Sequence, residues 1–359
     1  MKRGKALFAV LFLVPVLLAG CSGPHLLEEF LKETKVIKLD NPAEAARAIP
    51  VAGGCLLVGW KDASIRMIDE NGAEKALYSR KGKGPGELQD CRLEAGGLYN
   101  GVLMVADQSQ NRIMLFRVNE QRQKIDFLHS FPVDKGGISS ACFDREGRVL
   151  VYTPLGESEY LLYSLEGELL EQWPGSGSLA KRGSRDPEDL LRWIGVHENG
   201  VFAVSYLSGR LRSCLFPWAE GKENRIISWM PRSPLNGKAS RLVREAGTVM
   251  IEGGVSIEGA VMTKERLYVC VRVPGEKGRN EIQGYDLMGR FRECYRLPSG
   301  ADKENIFLLG IMPDGAFIMG SDGGEKGGLL RALVLMDKRP AAEREPRVAF
   351  LSPALTMAD

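Results

Sequence analysis

Short runs of Val, Ile, Leu, Tyr and Phe, Gly-bearing turns between them and a recurrence at about fifty residues predict an all-β chain. The architecture they predict is a six-bladed β-propeller of four-stranded blades. Hardly any stretch after residue 35 keeps a helical period. Of 359 residues, 44% are apolar and 26% charged, which fits a folded globular chain and excludes a disordered, collagen-like or coiled-coil one.

The first 20 residues read as an export leader. Lys2, Arg3 and Lys5 precede an apolar stretch over 6–19, which Pro15 interrupts. That stretch is about two thirds of the ~20 residues a membrane-spanning helix needs. It ends in Leu18-Ala19-Gly20-Cys21, which resembles the lipobox of bacterial lipoproteins. The resemblance implies a diacylglyceryl group on the Cys21 thiol, cleavage before Cys21, and a further acyl chain on the freed amine. Several acyl chains hold a protein on a bilayer, whereas one holds it only marginally. Ser22 rather than Asp follows the Cys, which by resemblance to diderm lipoproteins favours the outer membrane, on its periplasmic face or at the cell surface. Residues 21–33 then form a lipidated tether, in which 26–32 suit one or two helical turns.

From 34 to 338 the chain divides into six units, each of strand, turn, strand, loop, strand, turn and strand. The first turn appears as Tyr99-Asn100-Gly101, Asp144-Arg145-Glu146-Gly147, Glu198-Asn199-Gly200 and Pro313-Asp314-Gly315. The later turn appears as Glu70-Asn71-Gly72, Leu165-Glu166-Gly167 and Leu287-Met288-Gly289. Third strands are expected at 65–69, 112–117, 160–165, 211–216, 282–286 and 330–336. The last unit lacks a fourth strand before Lys338-Arg339-Pro340. The stray segment 34–39 is expected to pair there and close the ring from the N-terminus, with 347–351 as the competing candidate. Residues 339–359 form a C-terminal extension.

The second unit carries a sharper pattern: Gly82-Lys83-Gly84-Pro85-Gly86-Glu87-Leu88, then Val105-Ala106-Asp107, then Asn111-Arg112-Ile113-Met114-Leu115-Phe116. Over 82–116 this resembles an NHL repeat, with Leu88 where that family has Phe. Together with the lipobox it resembles the six-bladed propeller lipoproteins found in Bacteroidetes. The resemblance implies a fold and a location, with no settled activity. In physical terms, Asp107 and Arg112 flank the loop between the second and third strands, where an ion pair would hold it shut.

Besides Cys21 there are six cysteines: Cys55, Cys91, Cys142, Cys214, Cys270 and Cys294. None has a Cys-x-x-Cys spacing, and most sit in apolar runs. Cys270 and Cys294 fall two strands apart in one unit, beyond the ~7 Å limit between Cα atoms. Free, buried thiols are expected.

The chemistry of known enzyme sites is sparse. The histidines are His25, His129 and His197. His25 falls in the tether and His129 in an outer strand, so a multi-His zinc cluster is not expected. There is no Gly-x-Ser-x-Gly elbow, and the Gly-rich run 320–328 lacks a phosphate-loop pattern. No catalytic residue, metal or cofactor is assigned. The alternative is a lactonase-like hydrolase or lyase holding a divalent ion in the channel, with Glu94 and Asp107 as oxygen donors.

Lys and Arg total 48 against 46 Asp and Glu, and removing the leader leaves 45 against 46, so no nucleic-acid partner is expected. The longest inserts, 174–190 and 231–255, fall on the face that carries the blade-to-blade links. Candidate binding residues are Lys81, Lys83, Glu87, Asp107, Arg112 and His197, with Arg232, Lys238, Arg241 and Arg244 of the second insert. The function expected is a non-catalytic binding or scaffold module, monomeric and held to the membrane by its lipid, for an envelope protein or glycan.

Overall fold

The computed structural model describes residues 29–43, 47–59, 63–89, 96–133, 137–153, 158–174, 191–197, 200–205, 211–215, 226–229, 241–245, 248–252, 256–263, 265–273, 279–286, 289–297, 306–321 and 330–337. They form a β-propeller. The first blade contains Arg47–Val51, Gly54–Val58, Ile65–Asp69 and Glu74–Tyr78. The second contains Gly96–Tyr99, Val102–Asp107, Arg112–Asn119 and Lys124–Pro132. The third contains Ser140–Phe143, Val149–Tyr152, Ser158–Tyr163 and Leu169–Pro174. The fourth contains Leu191–His197, Gly200–Ser205, Leu211–Leu215 and Ile226–Trp229.

The closing blade joins Ile306–Ile311, Phe317–Ser321 and Leu330–Asp337 to the N-terminal strand Lys32–Ala43. Lys35 pairs with Leu335 and Ile37 with Leu333 in an antiparallel ladder. The stray N-terminal segment thus occupies the outer edge that the last repeat left vacant. The competing segment 347–351 lies outside the described residues.

The expectation of six like blades is corrected in two places. Five sheets are four-stranded, but the sheet before the closing blade has five strands. Its core strands are Ser256–Met262, Arg266–Val273, Arg279–Asp286 and Phe291–Arg296; Glu29–Phe30 adds to the last of these in parallel. The second departure is a hairpin, Arg241–Glu245 with Thr248–Glu252, which stands as a sheet of its own. The innermost strands of successive sheets lie side by side around a closed ring.

The N-terminal boundary also moves. Residues 29–30 are extended where helical turns were expected, and the propeller fold begins before residue 34. The reason is Leu31, 2% exposed, which packs with Tyr295, Phe317 and Met336 between the five-stranded sheet and the closing blade. An extended backbone lets its N–H reach the Arg296 carbonyl at 2.9 Å.

Middle strands read as unbroken apolar runs because both faces are covered. Leu103 and Val105 pack towards the first blade with Leu56, Ile65 and Tyr78. Met104 and Ala106, one residue out of phase, pack towards the third blade with Val149, Val151 and Leu161. The period of two delivers alternate residues to opposite interfaces. Each fully buried large side chain, Phe116 for example, contributes about 1.5–3 kcal/mol.

Several of the Gly turns share one construction. In Asp144-Arg145-Glu146-Gly147-Arg148 the Gly147 N–H donates to the Asp144 carbonyl at 3.2 Å, and the Asp144 N–H to the Arg148 carbonyl at 2.9 Å. The Asp144 carboxylate accepts from the N–H groups of Glu146 and Arg148. Asp69 does the same above Gly72, and Ser164 above Gly167. Gly147 has φ +79, a conformation that side chains with a Cβ disfavour.

The cysteines follow the reading with one departure. Cys55, Cys142 and Cys270 are buried thiols outside any described disulfide, whereas the thiol of Cys294, which donates to the Glu281 carboxylate, is only half-buried. A full strand separates Cys270 from Cys294. The side chains of Cys91 and Cys214 lie outside the described residues.

Candidate functional site

The NHL-like segment of the second blade builds a closed network at the link from the first blade. Asp107 ends the second strand with its side chain wholly buried and caps the one-turn 3-10 helix Gln108–Gln110. Its carboxylate accepts from Ser109 Oγ at 3.0 Å, the Gln110 N–H at 3.3 Å and Arg112 Nε at 3.3 Å. Asn111 then takes a left-handed conformation, φ +50, which turns the chain into the third strand.

Arg112 reaches beyond its ion pair. Nη1 donates to the Gly84 carbonyl at 3.1 Å, and Nη2 to the Glu87 carbonyl. Gln110 Nε2 holds the Gly82 carbonyl at 3.1 Å. The Glu87 carboxylate folds back to accept from the Gly84 N–H at 2.8 Å. On the other side, Gln108 Nε2 donates to the Ser139 carbonyl at 2.9 Å, and the Asn111 side chain bonds both Val133 and Ile138. One short loop therefore fastens the link before its blade and the link after it.

Asp107 and Arg112 are thus paired, as their flanking positions suggested, and Glu87 joins them through its main-chain carbonyl while its carboxylate holds the Gly84 N–H. The Asp107 carboxylate is met by hydroxyl, amide and guanidinium donors. Lys81 and Lys83 project from the same link and are exposed. His197 ends the innermost strand of the fourth blade, as expected. Arg241 and Arg244 belong to the extra hairpin, paired with Glu252 and Val249, where a loop was expected. Cys21, Glu94, Arg232 and Lys238 lie outside the described residues.

Two polar clusters escaped the sequence reading. Arg47, on the innermost strand of the first blade, has its pKa lowered by burial, partly offset by Cys142 of the third blade. In the five-stranded sheet, Glu293 gathers the hydroxyl groups of Tyr268 and Tyr295 and the guanidinium of Arg266. Burial, then the bond to Glu293, push the Tyr268 pKa up. No local motif marks either cluster, because its members come from different strands or blades.

No protein-family model matches the chain, and no curated protein does. Among solved structures the fold is shared with a Bacteroides fragilis protein named only as an exported protein, at 11% identity and a TM-score of 0.54. That match covers 89% of this chain and 98% of the other. The glutaminyl cyclase of Myxococcus xanthus is similar at 8% identity and a TM-score of 0.40, covering 87% and 98%. The WD40 β-propeller domain of Doa1 is similar at 10% identity and a TM-score of 0.44, again covering 87% and 98%. The class that the sheets define is the β-propeller.

Proposed function

We propose that the chain is a lipid-anchored envelope propeller that presents a rigid surface to a protein or glycan, without catalysing a reaction. On this reading the five-stranded sheet counts as a sixth blade, and the NHL-like character is confined to the second. Location is carried by the leader and its Leu-Ala-Gly-Cys ending. The binding role is carried by one observation: the link bearing exposed Lys81 and Lys83 is bonded to the blade loop behind it through Gln110 and Arg112. A pre-set loop on a rigid scaffold loses little entropy on binding.

The monomeric state and the basic insert with Arg232, Lys238, Arg241 and Arg244 belong to the same proposal. Crosslinking in intact cells, followed by mass spectrometry, tests it. A reproducible envelope partner whose capture falls in a Lys81→Glu, Lys83→Glu double variant supports the reading. Loss of labelled fatty-acid incorporation in Cys21→Ser tests the anchor. Unchanged incorporation would refute the lipid attachment.

A further inference from the structure

A groove of about 650 Å³ lies between the outermost strands of the first and second blades. It is lined by Leu77, Tyr78 and Arg80 on one side and by Lys124, Ile125 and Phe127 on the other. The floor is fixed. The Tyr78 hydroxyl donates to the Gly86 carbonyl, the Tyr78 ring meets Phe116 edge-on at 4.9 Å, and Phe116 meets Phe127 at 5.8 Å.

The lip carries a cation. Leu77, 51% exposed, pairs with Arg66 while Tyr78 pairs with Ile65, so its side chain stands on the opposite face of the strand from the floor. Arg80 is exposed, with its guanidinium 5.7 Å from the centre of the Tyr78 ring, and no described carboxylate pairs with it. Lys124, by contrast, pairs with Asp126 at 2.6 Å. The groove therefore offers one cation still open to an anion, directly above an aromatic and aliphatic floor. Glu74–Tyr78 is also the last strand of its sheet, so its outer edge can accept backbone pairing.

We infer that this groove docks an extended peptide segment carrying a carboxylate next to large apolar side chains. Pairing with the edge of Glu74–Tyr78 would set its register, Arg80 would hold the carboxylate, and the Tyr78–Phe127 floor would take the apolar side chain. Arg80 adjoins Lys81 in the chain, but neither Lys81 nor Lys83 lines this groove, so each surface is tested by its own variant.

The test uses the full chain and a fluorescein-labelled acetyl hexapeptide, Leu-Thr-Asp-Thr-Leu-Thr, which puts Leu and Asp on one face of a strand, with its Asn counterpart as control, read by anisotropy. The expected result is saturable binding, weakened at least tenfold in the Asn peptide and at least tenfold in Arg80→Gln. The variant should retain the wild-type circular dichroism. Binding that ignores Arg80→Gln, or no saturable binding by the folded wild type, overturns the inference. So does preferential capture of a polyuronate oligosaccharide or of anionic phosphatidylglycerol vesicles.

Discussion

Two Asp–Arg pairs, built from the same side chains, do different work. Asp144 and Arg148 lie four residues apart in one hairpin turn, 2.6 Å apart, and the Asp144 side chain is fully buried. Asp107 and Arg112 lie five apart across a loop, and the Asp107 side chain is equally buried. The first pair is local: it serves the turn that contains it. The second passes its guanidinium on to the carbonyls of Gly84 and Glu87, more than twenty residues upstream. What separates them is therefore reach along the chain, because one closes a hairpin and the other binds one blade to the link from its neighbour.

The largest effect should come from breaking the longer-range pair from one side. Arg112→Ala strands a buried carboxylate and frees two main-chain carbonyls, and should cost about 3–5 kcal/mol in urea unfolding. Hydrogen exchange at 80–88 should rise with it. If exchange there stays at the wild-type level, the link is not held by Arg112.

Asp144→Asn keeps acceptors for the turn N–H groups and loses only the charge. Arg148 is 27% exposed and also pairs with Glu146 at 3.1 Å, so it keeps a partner. A cost of about 1–2 kcal/mol is expected, with exchange changes confined to 144–148. A larger loss than that of Arg112→Ala would invert the comparison.

The turns themselves sharpen the point. A Cβ on Gly147 would meet the Tyr99 ring at 2.3 Å, whereas one on Gly315, φ +89, meets nothing within 4 Å. Gly147→Ala should therefore cost more than Gly315→Ala, about 2–3 against about 1 kcal/mol. Equal losses in thermal unfolding would show that backbone conformation, and not the contact with the second blade, sets the value.

The smallest effect is a pH dependence. Burial pushes the Cys55 thiol up to about 12, against about 8.5 for an unfolded cysteine. The folded chain therefore holds the proton more tightly. Its contribution to stability is whole below pH ~8.5 and is lost as pH rises through about 12. Urea midpoints should fall less steeply over that window in Cys55→Ala than in the wild type. Identical slopes would refute the burial effect.

Much of the fold was legible because its signals are local. The third strands, the Gly turns and the closing strand each declare themselves within a few residues. So did the Asp107–Arg112 pair, since both residues flank one loop. The carboxylate three residues ahead of Gly72 and Gly147 was equally visible, yet its meaning depends on the bonds it accepts. Leu31 was misread because its neighbours 26–32 have helical spacing, while its burial partners come from Tyr295, Phe317 and Met336 near the other end of the chain. The Arg80 groove was hidden for a related reason: its walls are two outer strands some fifty residues apart, and each alone looks like an ordinary solvated edge.

The strap formed by residues 29–43 ties the first described segment of the chain to the last described strand. During synthesis Lys32–Ala43 emerges long before Leu330–Asp337, the strand it pairs with. Until then it has no ladder to join, and the ring stays open. Loop closure on that scale is slow, and an unpaired strand invites pairing with other chains. A nascent chain cut short of residue 330 should therefore aggregate, however well its earlier blades have formed.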